Sequence, residues 1–194
     1  SPELARQKIG IPDAPTVICT GHLYAGRGVE TFIALAEKSP GTNFLWVGGH
    51  PDDVEMWRER AREQENVRFT GFVQQSELPL YQSAADILIA PYASQISGSS
   101  GGDSASVASP MKLFDYMAAK RAIITSDLPV IREVLDEENA IFVPPDNVDA
   151  WHAALTQLLG DDALREKLAE NAYTLVEEYT WLARQKKVLE EPRQ

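Results

Sequence analysis

The stretch Thr16–Glu37, TVICTGHLYAGRGVETFIALAE, decides the fold. Its first residues, Thr16–Thr20, are apolar or β-branched, which predicts a strand buried on both faces. A glycine-rich segment, Gly21–Gly28, follows, and Val29–Glu37 then carries apolar residues at helical spacing. Together they form a strand, loop and helix unit, the building block of α/β proteins.

The same unit recurs along the chain. Short apolar strands are predicted at Asn43–Val47, Val67–Phe69, Ile87–Ala90, Ala122–Thr125 and Ala140–Val143. Helices are predicted at Asp52–Glu63, where an Asp after Pro51 is expected to cap, and at Ser76–Gln82, Met111–Ala119, Val130–Leu135, Val148–Leu159 and Asp162–Glu178. This alternation indicates an α/β fold with a doubly wound parallel sheet of the Rossmann type and right-handed crossovers. We predict one such domain over 1–178 and a separate C-terminal helix within 179–194.

Composition excludes several classes of function. The chain has 194 residues, of which 44% are hydrophobic and 24% charged, as in globular domains. No window approaches the length of apolar sequence that a membrane-spanning helix needs, and residues 1–15 lack the layout of a secretion signal. The net charge of −11 argues against a nucleic-acid partner, so any phosphate site must be local. We expect no metal site, because His50 and His152 have no partner at ligand spacing, and we expect Cys19 to pack as a buried hydrophobe.

Two loops have the composition of ligand sites. In Gly21–Gly28, the glycines let backbone amides approach an anion at a helix N-terminus. Arg27 can bind two phosphate oxygens at once, and His22 can donate a further hydrogen bond. The alternative is a plain turn with a solvated arginine, since the glycine spacing matches neither a Walker loop nor a dinucleotide fingerprint. The second loop, Ser94–Ser109, leaves the carboxyl end of a predicted strand, which favours a ligand-facing loop over a mobile connection.

The segment GHLYAGRGVETFIALA resembles the Gly-Arg-Leu, three variable residues, Lys-Gly segment of retaining family 4 (group 1) glycosyltransferases, which have the two-domain GT-B fold. In that family two basic positions clamp the donor diphosphate. The resemblance places Arg27 at the lysine position and His22 at the arginine position, beside Gly21 and Gly28. It continues through Val47–Gly49 and Val67–Val73 and covers essentially the whole chain.

A second motif, SPMKLFDYMAAKRAII over Ser109–Ile124, resembles the glutamate-bearing helix and following strand of the same family. The family pairs two glutamates eight positions apart; the second binds the ribose hydroxyls and the first contacts the sugar. Asp115 takes the second position, whereas Val107 falls at the first and can perform neither task. Around the helix start, the resemblance implies diphosphate or sugar contacts from Ser109, Pro110 and Met111, and added charge from Lys112, with a solvated lysine as the alternative.

The resemblance also implies where the base lies and what the protein does. Phe72 and Val73 are candidate nucleobase contacts, with ordinary packing as the alternative. The expected function is that of the nucleotide-sugar-binding domain of a retaining enzyme, which transfers a hexose-type sugar to an acceptor hydroxyl. The nucleotide of the donor is expected to be UDP or GDP, and no cofactor or metal is expected. Arg27 and His22 are expected to stabilise the leaving diphosphate.

The same resemblance implies an N-terminal acceptor-binding domain as partner, against which the helix within 179–194 packs and without which no transfer occurs. It also implies a cytoplasmic location, with peripheral membrane contact through the partner domain. Two alternatives remain open: a nucleotide-sugar 2-epimerase-like GT-B enzyme and a noncatalytic nucleotide-binding module.

Overall fold

The computed structural model of the chain describes residues 1–94 and 111–180. The strands are β1 (Thr16–Thr20), β2 (Asn43–Val47), β3 (Val67–Phe69), β4 (Ile87–Ala90), β5 (Ala122–Ser126) and β6 (Ile141–Val143). The helices are α1 (Pro2–Ile9), α2 (Val29–Lys38), α3 (Pro51–Arg60), α4 (Leu78–Ala84), α5 (Met111–Ala118), α6 (Pro129–Arg132), α7 (Val148–Gly160) and α8 (Asp162–Val176). A 3-10 turn, Glu177–Tyr179, follows α8.

The strands form one parallel sheet in the order β3-β2-β1-β4-β5-β6, which confirms the predicted doubly wound architecture. The strand order reverses between β1 and β4. In open α/β sheets, ligands bind outside the carboxyl ends of the strands at this switch point. The topology therefore directs attention to the segments that follow β1 and β4.

Helices cover both faces of the sheet, because alternate residues of each strand point to opposite faces. On one face Val17 and Cys19 pack among the apolar residues of α2, α3 and α7, where the Phe32 ring meets Phe44 and Trp46 edge-on at centroid distances of 5.3 and 5.2 Å. On the other face Ile18 packs with residues of α1, α4, α5 and α8. Cys19 is fully buried, which confirms its predicted packing role.

The strands begin and end at or within a residue of the predicted positions, whereas several helix ends differ. The predicted Asp cap of α3 is wrong: the helix begins at Pro51 with His50 as its N-cap residue, because proline is well suited to the first helical position. The helix α4 begins and ends two residues later in the chain than predicted. The predicted helix within 179–194 lies almost wholly outside the described residues, which end at Thr180.

The helix α1 has no counterpart among the predicted elements. Its Arg6 is buried and donates to the Asp86 carboxylate at 3.1 Å and to the Ala84 carbonyl at 3.2 Å. A second carboxylate, that of Asp13, lies 2.9 Å from the same guanidinium. These contacts tie α1 to the edge of the sheet opposite the ligand-binding edge. Across the part of the chain that the structure describes, no helix is both long and apolar enough to span a bilayer.

Candidate functional site

Glycines stand in a row where β1, β2 and β3 end. Gly21, Gly48 and Gly71 all have positive φ angles of 129°, 119° and 77°. A side chain on Gly48 would lie only 2.6 Å from the Gly21 carbonyl oxygen, and Gly48 forms an isolated bridge with Gly71. Because glycines have no side chains, a ligand that lies across the strand ends can approach the backbone closely at this edge of the sheet.

The loop Gly21–Gly28 docks tightly on the segment that follows β4. Gly28, the N-cap residue of α2, has φ +82°, and a Cβ atom there would lie 1.6 Å from the Pro91 carbonyl oxygen. The Ala93 amide donates to the Gly26 carbonyl at 3.0 Å. This close approach brings the N-terminus of α2, with its free amides and positive dipole end, to the switch point between β1 and β4.

Two cations meet at the same place, over one buried aromatic ring. The Arg27 guanidinium carbon lies 5.6 Å and the Lys112 Nζ 4.7 Å from the centroid of Tyr92, which is 4% exposed. Within residues 1–94 and 111–180, neither cation forms an ion pair with a carboxylate, and the buried Arg27 Nε has no hydrogen-bond partner. We call Arg27 and Lys112 the cation pair; its charges and its free donor suit an anionic ligand.

Lys112 points into the protein rather than into solvent, so the solvated-lysine alternative is wrong. Its Nζ lies 3.8 Å from the Cys19 sulfur and 3.6 Å from the position of a Cβ on Gly21. Burial acts to lower the pKa of Lys112, but the neighbouring Cys19 and Tyr92 side chains outweigh it, and the pKa is raised. Lys112 is therefore a cation at neutral pH, adjacent to an arginine that is always charged.

A buried tyrosine fixes the helix that carries Lys112. The Tyr116 hydroxyl accepts hydrogen bonds from the Thr20 amide at 2.7 Å and the Thr20 hydroxyl at 3.2 Å, and it donates to the Ile89 carbonyl at 3.4 Å. Burial raises the pKa of Tyr116 well above its usual value, so the hydroxyl stays protonated. This contact joins α5 to the ends of β1 and β4, on either side of the switch point.

Asp115, the predicted ribose anchor, lies on the exposed side of α5. Partial burial raises the pKa of its carboxyl. In the described part of the chain no hydrogen-bond donor reaches this carboxylate, which leaves its oxygens open to a ligand. Met111 begins the same helix and is 70% exposed. Ser109 and Pro110, and Val107 at the sugar-facing position, lie outside the described residues.

His22 is exposed and is held by two other rings rather than by the cation pair. It stacks on Tyr24 with centroids 4.9 Å apart and on His50 at 5.3 Å. His22 and His50 are thus neighbours in space, a contact that the spacing in the sequence did not predict. The parallel register pairs Thr20 with Val47, so the residues that follow the two strands become neighbours although 28 positions separate them in the chain. No cluster of three or more metal-ligating side chains occurs in 1–94 and 111–180.

The residues after β3 differ in their surroundings. Phe72 is 83% exposed, whereas Val73 is half-buried and packs against the core on the α4 side. An open cavity of about 850 Å³ adjoins Phe72 and is walled by α3, including Met56 and Arg58. The packing alternative thus describes Val73, and Phe72 remains available to a ligand. Its place, about two strand spacings or roughly 10 Å from Gly21, suits the far end of an extended nucleotide.

The sequence motifs anticipated part of this arrangement and missed the rest. Gly21, Gly28, Arg27 and Lys112 are brought together as the motifs implied. Tyr92, the ring that both cations contact, was not predicted, because a lone tyrosine after a strand carries no spacing signal of its own. Its place follows from the carboxyl end of β4 lying next to that of β1.

Comparisons with known proteins agree with this geometry. Residues 14–161 match the family model described as glycosyl transferases group 1. Alpha-D-kanosaminyltransferase of Streptomyces kanamyceticus is 25% identical over 177 residues, which are 88% of this chain and 43% of the relative. Phosphatidyl-myo-inositol mannosyltransferase of Mycolicibacterium smegmatis is 31% identical over 160 residues, or 80% and 38% of the two chains. The chain thus spans about two fifths of the length of these relatives.

Solved structures show the same fold. Sucrose-phosphate synthase from Thermosynechococcus elongatus superposes with a TM-score of 0.77 at 25% identity, over 95% of this chain and 47% of the other. HepE from Anabaena, solved in complex with UDP, gives 0.78 at 16% identity over 97% and 51%. The C-terminal domain of the group 1 protein LpcC from Francisella tularensis gives 0.73 at 24% identity over 93% and 94%. The chain therefore belongs to the group 1 glycosyltransferases and has the fold of the C-terminal domain of their GT-B architecture.

Proposed function

We propose that this domain binds the diphosphate of a nucleoside-diphosphate sugar between Arg27 and Lys112, as the donor half of a retaining glycosyltransferase. The observation that carries the proposal is the cation pair itself. Two positive charges share one buried ring without a carboxylate partner among the described residues, in a chain whose net charge is −11. Like charges held this close repel, and a bound dianion relieves that repulsion.

The pair also suits the chemistry of sugar transfer. As the bond from the anomeric carbon to the diphosphate breaks, negative charge grows on the departing oxygen. Fixed donors stabilise that charge without having to reorganise: the cations Arg27 and Lys112, and the free amides at the N-terminus of α2. Arg27 offers a guanidinium fork, and its unpartnered Nε is one of the donors available to phosphate oxygens.

The remaining contacts extend from this centre toward the nucleoside. Asp115 on α5 accepts hydrogen bonds from the ribose hydroxyls, and Phe72 provides an aromatic face for the base at the end of β3. Support for a uridine donor comes from HepE, whose structure contains UDP. Since only the fold is shared at that identity, UDP and GDP both remain candidate nucleotides. Ser109, Pro110 and Met111 are proposed to line the sugar side of the diphosphate.

The complete enzyme needs a second half. The chain covers less than half of each transferase relative described above, so the acceptor site is proposed to lie on an N-terminal domain. The mannosyltransferase relative is named for mannose and for phosphatidyl-myo-inositol. The first part supports a hexose-type sugar, and the lipid supports peripheral membrane contact through the other half; a cytoplasmic location is proposed with them.

Calorimetric titration of the 194-residue chain with UDP, GDP and ADP tests the donor site. We expect one of these nucleotides to bind, and Arg27→Ala to weaken it at least tenfold, because a charge-assisted contact is worth about 1.5–3 kcal/mol. Arg62→Ala, which removes an arginine paired with Glu59 on the surface, is the matched control and should leave binding unchanged. Failure of all three nucleotides to bind contradicts the proposal.

Transfer itself provides a second test. The isolated chain should transfer no sugar to an acceptor, whereas the full-length protein should transfer the sugar with its anomeric configuration retained. Nuclear magnetic resonance of the product reports that configuration directly. Turnover by the isolated chain, or an inverted product, contradicts this part of the proposal.

A further inference from the structure

Three side chains from two loops form a ring stack, defined as His22, Tyr24 and His50. The Tyr24 hydroxyl and the His50 Nε2 share a hydrogen bond of 3.2 Å, and these two ring centroids lie 6.2 Å apart. His22 lies nearly parallel to both, with interplanar angles of 9° to Tyr24 and 22° to His50. Tyr24 and His50 are thus joined edge to edge, and His22 lies across them.

The ring stack borders the cation pair. His22 directly follows Gly21, whose open side faces the Lys112 ammonium. His50 follows Gly48 and Gly49 at the end of the neighbouring strand, so the stack rises from the row of glycines that lines the ligand-binding edge. A diphosphate held by the cation pair and extended toward Phe72 passes this point.

His22 is exposed, and an exposed side chain loses rotamer freedom when it binds a ligand. Its contacts with Tyr24 and His50 restrict the ring before any ligand arrives, and its nitrogens form no hydrogen bond within residues 1–94 and 111–180. A histidine held in this way can donate a hydrogen bond to a phosphate oxygen at a smaller entropic cost than a free one.

We propose that Tyr24 and His50 are positioning residues for His22, and that His22, oriented by them, is a third side-chain contact to the donor diphosphate. This inference rests on the proposed function, because it assumes a diphosphate at the cation pair. It assigns a role to His50 and Tyr24, which do not themselves contact the phosphate. Their effect on binding passes through His22 and disappears when His22 is absent.

A double-mutant cycle on the 194-residue chain tests this dependence. UDP is the probe, with GDP used if UDP does not bind, and inorganic pyrophosphate is titrated in parallel as a probe without base or ribose. We expect His22→Ala to weaken both probes about tenfold and His50→Ala about fivefold. In the His22→Ala background, His50→Ala should have no further effect. Tyr24→Phe, which keeps the ring but loses the hydrogen bond, should show a smaller loss.

A rescue variant separates positioning from a general structural role. His22→Arg introduces a long cationic side chain that can reach a phosphate without the stack. In that background, His50→Ala should leave the affinity for both probes unchanged. An equal loss on His50→Ala with and without His22 overturns the proposal, as does a loss for UDP without any loss for pyrophosphate, which assigns the stack to the base. If Arg27→Ala weakens binding and His22→Ala does not, only this inference fails. If neither variant weakens binding, or neither nucleotide binds, the proposed function fails with it.

Discussion

At the scale of single residues, the site consists of charged side chains that form no ion pair among the described residues. Buried or half-buried cations in proteins are normally paired. Arg27 and Lys112 instead both contact the Tyr92 ring, and the carboxylate of Asp115 meets no donor in the described residues. Charged residues that have no such partner in the free protein are expected to gain the most from binding a ligand.

The first prediction concerns Lys112. Lys112→Met keeps the apolar length of the side chain but removes the charge, so nucleoside-diphosphate affinity should fall about tenfold. The melting temperature should fall only slightly, because the raised pKa of Lys112 means that Cys19 and Tyr92 favour the cation more than burial and Arg27 disfavour it. Calorimetry and thermal unfolding measure the two effects. Lys167→Met, on α8, is the control and should change neither; a large loss of stability in Lys112→Met contradicts the prediction.

The second prediction concerns Asp115 and pH. Its folded pKa is raised, so the folded state binds the proton more readily than the unfolded state, and ionisation at neutral pH lowers the free energy of unfolding. Asp115→Asn should therefore melt no lower than wild type at pH 7, and at most about 1 °C higher because the group is exposed and screened.

This difference should close as the pH falls through the folded pKa and the wild-type carboxyl becomes protonated. Nucleotide affinity should meanwhile drop about tenfold, because the amide replaces a charged acceptor of ribose hydroxyls. Thermal unfolding from pH 4 to 7.5, with calorimetry at pH 7, provides the check. A variant that melts clearly lower at pH 7 shows instead that the carboxylate stabilises the fold.

At the scale of elements, two contacts place the site. Tyr116 ties α5 to the end of β1, and Gly28 allows the N-terminus of α2 to touch the segment after β4. Each contact brings one of the two cations to the switch point, because Lys112 is on α5 and Arg27 directly precedes Gly28. The site therefore depends on the docking of two helices as much as on its charged side chains.

The third prediction tests the anchor of α5. Tyr116→Phe leaves the Thr20 amide buried without its acceptor, which should cost about 2 kcal/mol and lower the melting temperature by roughly 5 °C. Nucleotide affinity should fall as well, since Lys112 and Asp115 lie on the loosened helix. Tyr173→Phe, at a partly exposed position on α8, is the control. An unchanged melting temperature in Tyr116→Phe contradicts the importance of this bond.

The fourth prediction tests the contact of α2. Gly28→Ala forces a Cβ to within 1.6 Å of the Pro91 carbonyl and requires a left-handed backbone from alanine, so the loop must move. We expect a loss of at least about 3 kcal/mol in the free energy of unfolding and no detectable nucleotide binding. Gly160→Ala meets no atom within 4 Å at the end of α7 and should be neutral or slightly stabilising. Urea unfolding of both variants decides the matter.

At the scale of the whole molecule, an acidic domain holds a small basic site at one edge of its sheet. The net charge of −11 excludes a broad basic surface, yet the switch point gathers Arg27 and Lys112 within reach of the α2 dipole. The opposite edge carries the ion pairs of Arg6 with Asp86 and Asp13. The paired charges of Arg6 stabilise the scaffold, whereas Arg27 and Lys112 form no ion pair among the described residues and are left for a ligand.

The sequence by itself determined the strands, the alternation of elements and the glycine positions, because these depend on local periodicity and on backbone conformation. It also placed Arg27 and Asp115 in recognisable motifs. Helix ends such as that of α3 were less accurate, since capping and the last turn depend on neighbours.

Only the tertiary structure decided that Lys112 points inward beside Cys19, that Tyr92 contacts both cations, and that His22 and His50 share a stack. These contacts join residues far apart in the chain. They arise because parallel strands bring successive carboxyl ends to one edge, a proximity that no local pattern encodes.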